Sequence, residues 1–407
     1  MNDFVKQAVF LVGGKGTRLG AITQNVPKPL LEIAPGLRFL DVVLEEAARH
    51  GFSDIVLLAG HLGDQVEAIY HGRKIRNATV RVIREPEPQG TGGALRFAAP
   101  VLDDWFIMAN GDSLFEFNLR ALAADKPNGM LARLALREVP DPGRYGAVLL
   151  QGSQVTGFHE KSPDLKGPMP INGGVYLLHK SVADRVQGPC SIEQDIFPEL
   201  ARLGALQAKE FSGYFLDIGL PDTYAQACAE VPARRVRPVA FLDRDGVLNV
   251  DHGYTHRPED LQWQPGAQDA IRYLNDHGYL TLVVTNQAGI ARGLYTEDHM
   301  HAFHAHMQAE LAEVGAHIDQ FYHCPFHKDG TVAAFTHPNH PDRKPNPGML
   351  QRALSDWPND AARSFLIGDM DSDIQAADAL QLRSIKYEGG DLLAVIKQGI
   401  AKTLSPV

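Results

Sequence analysis

The chain has 407 residues, 44% hydrophobic and 22% charged, a length beyond one ordinary hydrophobic core and a composition usual for a globular protein. Its 39 basic and 49 acidic side chains leave a net charge of −10. That balance excludes general nucleic-acid binding, but not phosphorylated small substrates, which need only a local cluster of donors. Cys190, Cys228 and Cys324 are too scattered for a disulfide framework and fit a reducing cytoplasm.

In chain order, the apolar run 8–12 comes first, with no basic leader or cleavage site, so we expect a strand there and not a signal peptide. No stretch is long and apolar enough to span a bilayer, so no membrane partner is expected. Further apolar runs at 55–59, 80–83 and 106–109 alternate with helix-like segments such as 40–49. This is the pattern of a parallel sheet covered by helices. The alternation restarts at 239–242, 280–285 and 364–367. Between the halves, Pro232 and Pro238 flank a basic stretch that reads as an exposed linker. An α/β protein is expected, with domains 1–231 and 239–407 and a linker at 232–238.

The first strand runs into Gly13, Gly14 and Gly16, followed by Arg18 and, in a Pro-Lys-Pro word, Lys28. A glycine turn after a strand lets backbone N–H groups approach an anion, and the two cations suit a triphosphate. The run Gly-Gly-x-Gly-Thr-Arg-Leu with Pro-Lys-Pro resembles the signature of the sugar-1-phosphate nucleotidyltransferases, over roughly the first half of the chain. The resemblance implies a Rossmann-like domain with a mixed sheet. It makes the run from Glu85 through Gly92 to Ala94 the nucleotide-base loop and the helix start behind it. Asp112, at the end of a strand, and Asp217 become the Mg²⁺ ligands. Gly146, Glu160, Lys161, Asn172 and Gly173 become the sugar-phosphate clamp. The implied reaction is in-line attack of a sugar 1-phosphate on the α-phosphorus of a nucleoside triphosphate, with Arg18 and Lys28 stabilising the departing pyrophosphate.

In the second half, Asp243-Arg244-Asp245-Gly246 follows an apolar strand. Two carboxylates one residue apart at a strand end can share a metal while one attacks phosphorus and the other moves protons. With Thr285, Asn286, Lys344 and Asp369, the set resembles the haloacid-dehalogenase-type phosphatases. That implies a doubly wound domain without a large cap, and Mg²⁺ held by Asp243, Asp369 and the main chain of Asp245. Thr285 and Asn286 would bind phosphoryl oxygens, Lys344 would neutralise charge, and Asp373 would support the metal or Lys344. The words around Asp251-His252-Gly253-Tyr254, Thr285–Gly293 and Arg343–Met349 are similar to those of heptose bisphosphate phosphatases. In that family the arginine beside the lysine reads the retained phosphate, here Arg343. The subfamily's zinc loop is altered: Cys324, Phe326, His340 and Asp342 take the ligand positions, with His327 one place beyond the expected histidine. Cys324, His327, His340 and Asp342 are zinc-ligand types, and the reading favours a metal-free loop. Histidines 301, 304 and 306 read as a polar helix face.

The two resemblances converge on one pathway: loss of the C7 phosphate from a heptose 1,7-bisphosphate, then activation of the heptose 1-phosphate. The shared pathway, and no base-reading residue, favours GTP. The rivals are another sugar 1-phosphate with a histidinol-phosphate-like phosphatase, or a non-catalytic sugar-nucleotide sensor in one domain.

Overall fold

The computed structural model describes residues 4–14, 16–143, 146–162 and 164–404. Lys15 of the glycine run and Tyr145 beside Gly146 lie outside the described residues. The chain divides into two compact units, Val5–Ala233 and Arg234–Val407.

The first unit is built on a ten-stranded mixed sheet. Strand Gln7–Leu11 runs parallel to Asp54–Ala59 and to Trp105–Asn110, and Asp54–Ala59 runs parallel to Ala78–Arg84. Met169–His179 then pairs antiparallel with Trp105–Asn110 and with Ala132–Val139. The first strand is buried on both faces: Ala8 and Phe10 enter one apolar cluster and Val9 the other, as a period of two between helix layers requires. The parallel strands end on one edge. The glycine turn, Glu85 and Asp112 therefore emerge together, in the crevice position of an open α/β sheet.

The second unit has five parallel strands in the order Gln320–Cys324, Leu280–Asn286, Val239–Leu242, Phe365–Gly368, Arg383–Lys386. The first strand in sequence is central, with its successors on both sides, so its C-terminal end is the topological switch point. Ala240 and Leu242 pack on one side, Val239 and Phe241 on the other. No further sheet layer follows the first strand among the described residues; 243–266 is loop with the 3-10 turn Pro258–Asp260.

The expected linker at 232–238 is shorter in the structure. Helix Pro221–Arg234 continues through Pro232, because Val231 and Ala227 on its inner face are fully buried and that packing outweighs the lost N–H. Arg237 already bridges to Asn359.

Candidate active sites

In the first unit, strands Ser113–Phe115 and Phe215–Asp217 pair antiparallel with Ser113 opposite Asp217, which draws Asp112 and Asp217 together across a long sequence separation. Lys28 is buried between them, its Nζ 2.7 Å from Asp112 and 3.1 Å from Asp217. Expected against the pyrophosphate, Lys28 here neutralises two facing carboxylates that would otherwise repel. Two carboxylates facing one cation carry negative charge that oxygen-preferring Mg²⁺ also suits. Arg18 is exposed. A Cβ on Gly219 would meet Asp217 Oδ1 at 2.9 Å and Arg18 Nη2 at 3.4 Å, so Arg18 stands beside the same carboxylate.

The expected glycines separate into two kinds. Gly14 has open space on its side-chain side, and a Cβ on Gly13 would lie 2.7 Å from Gly60 N, so the turn rests against the end of the next strand. Gly16 adopts a left-handed φ of 59°. Gly92 is buried, and a Cβ there would meet Cys190 Sγ at 2.4 Å; one on Gly173 would meet the Phe115 ring at 2.7 Å, and one on Gly146 the His159 carbonyl at 2.6 Å. These three are glycines because neighbouring chain packs against them. Glu85 accepts the Gln89 N–H at 3.2 Å, and burial raises its carboxyl pKa. Glu160 and Lys161 are exposed beyond strand Gln154–His159.

Asn172 donates to the Tyr176 hydroxyl at 3.1 Å, which donates to Glu193 at 3.3 Å, and Thr91 donates to the same carboxylate at 2.9 Å. This network ties helix Gly90–Ala98 to strand Met169–His179. The sequence reading missed Tyr176 and Glu193, which carry no motif and meet only through the sheet.

In the second unit Asp243 follows the central strand and is buried, with Lys344 Nζ 2.9 Å away. Lys344 also reaches Asp373 at 2.5 Å and donates to the Val284 carbonyl at 2.8 Å. Burial pushes the Asp243 carboxyl up to about 7; the Lys344 charge lowers it and the Asp373 charge raises it. For Lys344, burial opposes the charge, but the carboxylates of Asp243 and Asp373 outweigh it and its pKa is raised.

Asp243, Asp369 and Asp373 each offer an oxygen, all within 4.8 Å of one another. Asp369 Oδ1 is buried without a hydrogen-bond partner, and burial followed by the Asp373 charge raises the Asp369 pKa. A lone-pair donor left in this position fits a hard divalent cation. Gly246, at a left-handed φ of 86°, makes room: a Cβ would lie 2.3 Å from Asp369 Oδ2. Asp373, expected to support the metal or Lys344, pairs with Lys344 at 2.5 Å and stands in the acidic group as well.

The Asp245 side chain lies outside that group. Arg244 donates to it through Nε at 3.1 Å and Nη2 at 2.8 Å, Asn249 at 3.1 Å and Gln287 at 2.9 Å. Asp245 could therefore reach a cation only through its main chain. Gln287 is fixed by the Tyr295 hydroxyl at 2.6 Å. Arg244 is fully buried, donates to the Thr255 carbonyl at 2.7 Å and contacts His304 Nε2 at 3.1 Å. An arginine only donates, so His304 accepts there; burial and the Arg244 charge hold its pKa well below the usual value. His304 is thus a buried partner of the site, not part of a polar face. Thr285 is buried with its hydroxyl on Gln287 at 2.8 Å. Asn286, expected on the phosphoryl group, exchanges two 3.1 Å hydrogen bonds with the main chain of Lys344 and so holds the lysine in place.

The altered zinc loop closes by other contacts. His340 stacks on Phe326 with centroids 3.9 Å apart and accepts the Asp342 N–H at 3.1 Å; Asp342 pairs with Arg352 at 2.6 Å. His327 accepts the Asp329 N–H at 3.0 Å, and Cys324 is buried. The four do not gather into a ligand group among the described residues. Arg343 donates to the Phe326 carbonyl at 3.1 Å.

A family model described as nucleotidyl transferase matches residues 7–234, more than half the chain. The chain belongs to the nucleotidyl transferase family. A HAD-hydrolase-like model matches residues 342–394, and the second half is a haloacid-dehalogenase-like domain. That half is 45% identical over 162 residues to the D-glycero-beta-D-manno-heptose-1,7-bisphosphate 7-phosphatase of Rhodopseudomonas palustris, covering 40% of this chain and 89% of the relative. The nucleotidyl transferase half is 36% identical over 229 residues to a mannose-1-phosphate guanyltransferase of Neurospora crassa, covering 54% of this chain and 62% of that protein. Among solved structures, HddC from Yersinia pseudotuberculosis is 30% identical, with a TM-score of 0.49, over 56% of this chain and 100% of that one. The chain is thus an enzyme with a nucleotidyltransferase and a phosphatase domain. No helix among the described residues is long and apolar enough to cross a membrane.

Proposed function

We propose that this nucleotidyl transferase family member is a bifunctional enzyme of GDP-heptose synthesis, working in the cytoplasm. It removes the C7 phosphate of D-glycero-D-manno-heptose 1,7-bisphosphate and transfers GMP from GTP to the resulting heptose 1-phosphate. The observation that carries the reading is the union, on one chain, of a nucleotidyl transferase domain with a half matched along 89% of a heptose bisphosphate phosphatase. A product that keeps its 1-phosphate is the substrate type that the first domain needs. The guanyltransferase relative favours GTP among the triphosphates.

In the phosphatase site, an Asp243 oxygen attacks the C7 phosphorus and the bond from phosphorus to the sugar oxygen breaks. Asp245 gives that oxygen a proton, leaving an aspartyl-phosphate. Water then attacks the phosphorus, Asp245 takes its proton, and phosphate departs with Asp243 restored. Lys344 orients the nucleophile and offsets charge on the phosphoryl oxygens. In the transferase site, a 1-phosphate oxygen attacks the α-phosphorus and pyrophosphate leaves, with Arg18 offsetting its charge, Lys28 holding Asp112 and Asp217 together and Lys161 holding the sugar phosphate. Asp112 with Asp217, and Asp243 with Asp369, Asp373 and the Asp245 main chain, would hold Mg²⁺, which when bound would supply charge neutralisation in each site.

Mass spectrometry after incubation with either anomer of the bisphosphate, Mg²⁺ and all four triphosphates tests this. GDP-heptose with phosphate and pyrophosphate is expected. Another sugar nucleotide would reassign the base, and no phosphate release would remove the heptose reading.

A further inference from the structure

Arg292 follows the helical turn Ala288–Ala291, at the end of strand Leu280–Asn286 that carries Thr285 and Asn286. Its guanidinium carbon lies 5.7 Å from the centroid of the Tyr254 ring. Tyr254 is 41% exposed and holds a left-handed φ of 61°, a conformation that a side chain with a Cβ rarely takes and that fixes this part of the loop locally.

The same loops carry Arg343. The Ala291 carbonyl accepts the N–H groups of Thr331 at 2.8 Å and Val332 at 2.9 Å. The Thr331–Val332 segment belongs to a loop that returns through His327 N–H to the Phe335 carbonyl at 3.1 Å and packs Phe326 against Phe335. The Phe326 carbonyl then accepts from Arg343 at 3.1 Å, and Arg343 precedes the lysine paired with Asp243. Two guanidinium groups therefore stand on one stitched set of loops, and one of them adjoins in sequence the lysine paired with Asp243. Among the described residues no carboxylate pairs with either of them. Burial lowers the Arg343 pKa and the Arg292 charge lowers it further, as expected of two cations sharing a neighbourhood.

We propose that Arg292 is a second specificity-determining residue of the phosphatase site: with Arg343 it grips the phosphate that remains on the bisphosphate, while Tyr254 supports the sugar between the two phosphates. A phosphate dianion offers several acceptors to two planar forks and removes the repulsion between them. A substrate with a single phosphate has nothing to place there. The assignment rests on the bisphosphate reading given above.

The test compares KM and kcat of the full chain and its Arg292→Ala, Arg292→Lys and Arg343→Ala variants on heptose 1,7-bisphosphate and on p-nitrophenyl phosphate. Arg292→Ala should raise KM for the bisphosphate about tenfold or more while kcat changes little, with KM for p-nitrophenyl phosphate unmoved. Arg292→Lys should recover part of the loss, which a folding defect would not do. If the wild type prefers the bisphosphate and Arg292→Ala leaves its KM unchanged, or shifts both substrates equally, this assignment falls and the bisphosphate reading stands. If the wild type shows no preference for the bisphosphate, both fall together.

Discussion

Lys344 is the residue on which the phosphatase site turns. Its ammonium is buried between Asp243 and Asp373, and removing it leaves two buried carboxylates facing each other without a cation. Lys344→Met should destabilise the second unit by about 3–5 kcal/mol and abolish phosphate release. Adding Asp373→Asn should restore much of the stability but none of the activity. Urea unfolding of the two variants separates these effects, and equal stability of Lys344→Met and wild type would show that the triad is not coupled as drawn. Lys344, Asp243 and Asp369 were legible as motif residues. Asn286 was read on the phosphoryl group and Gln287 was only a letter inside the motif, because their amides point where the loop folds and not where the word suggests. Lys28 is the same case in the other unit: a cation expected for phosphate stands between Asp112 and Asp217.

At the scale of elements, helix Glu297–Glu313 shows how a charge pattern misleads. Three histidines spaced like a polar face conceal one, His304, that is buried against Arg244 and stacked on Phe321 at 4.2 Å. His304 is neutral when folded, whereas the unfolded chain takes up a proton near the ordinary 6.5. Below that pH the unfolded state binds more protons, so stability is full above about 6.5 and falls as pH drops further. Replacing His304 by Gln, which keeps an acceptor for Arg244, should reduce the slope by about 1.4 kcal/mol per pH unit below pH 6. Denaturation at stepped pH values reads this directly, and an unchanged slope would place the acid sensitivity elsewhere.

The loop from Cys324 to Asp342 belongs to the same scale. Its side chains are committed to a Phe326–His340 stack and an Asp342–Arg352 ion pair, and a structural zinc site needs its ligands converged. Purified protein should therefore hold well under one zinc per chain, and chelation should lower its melting temperature little. One tightly bound zinc, with unfolding of the second unit in Cys324→Ala, would show that the loop rearranges around metal. The altered ligand pattern was visible in the sequence; the aromatic stack that replaces it was not, since it joins residues fourteen positions apart.

For the whole molecule, the two units carry complete and separate constellations, so their activities should part cleanly. Asp243→Asn removes the carboxylate proposed as nucleophile and should end phosphate release while transfer from supplied heptose 1-phosphate continues; Asp112→Asn should do the reverse. Parallel assays of phosphate and pyrophosphate decide this, and loss of both activities in either folded variant would overturn two-site working. The sequence alone indicated the two α/β halves, the leading strands of each and the motif residues expected at their strand ends. These are local properties: a buried strand must be apolar, and the turn after it must carry the small or charged groups that phosphate chemistry uses. Tertiary structure alone decided which of those groups meet. The short ladder of Ser113–Phe115 with Phe215–Asp217 joins Asp112 to Asp217, and the central place of Val239–Leu242 brings Asp243, Lys344 and Asp373 together. Such contacts depend on pairing and burial between segments far apart in the chain, and periodicity within a segment does not encode them.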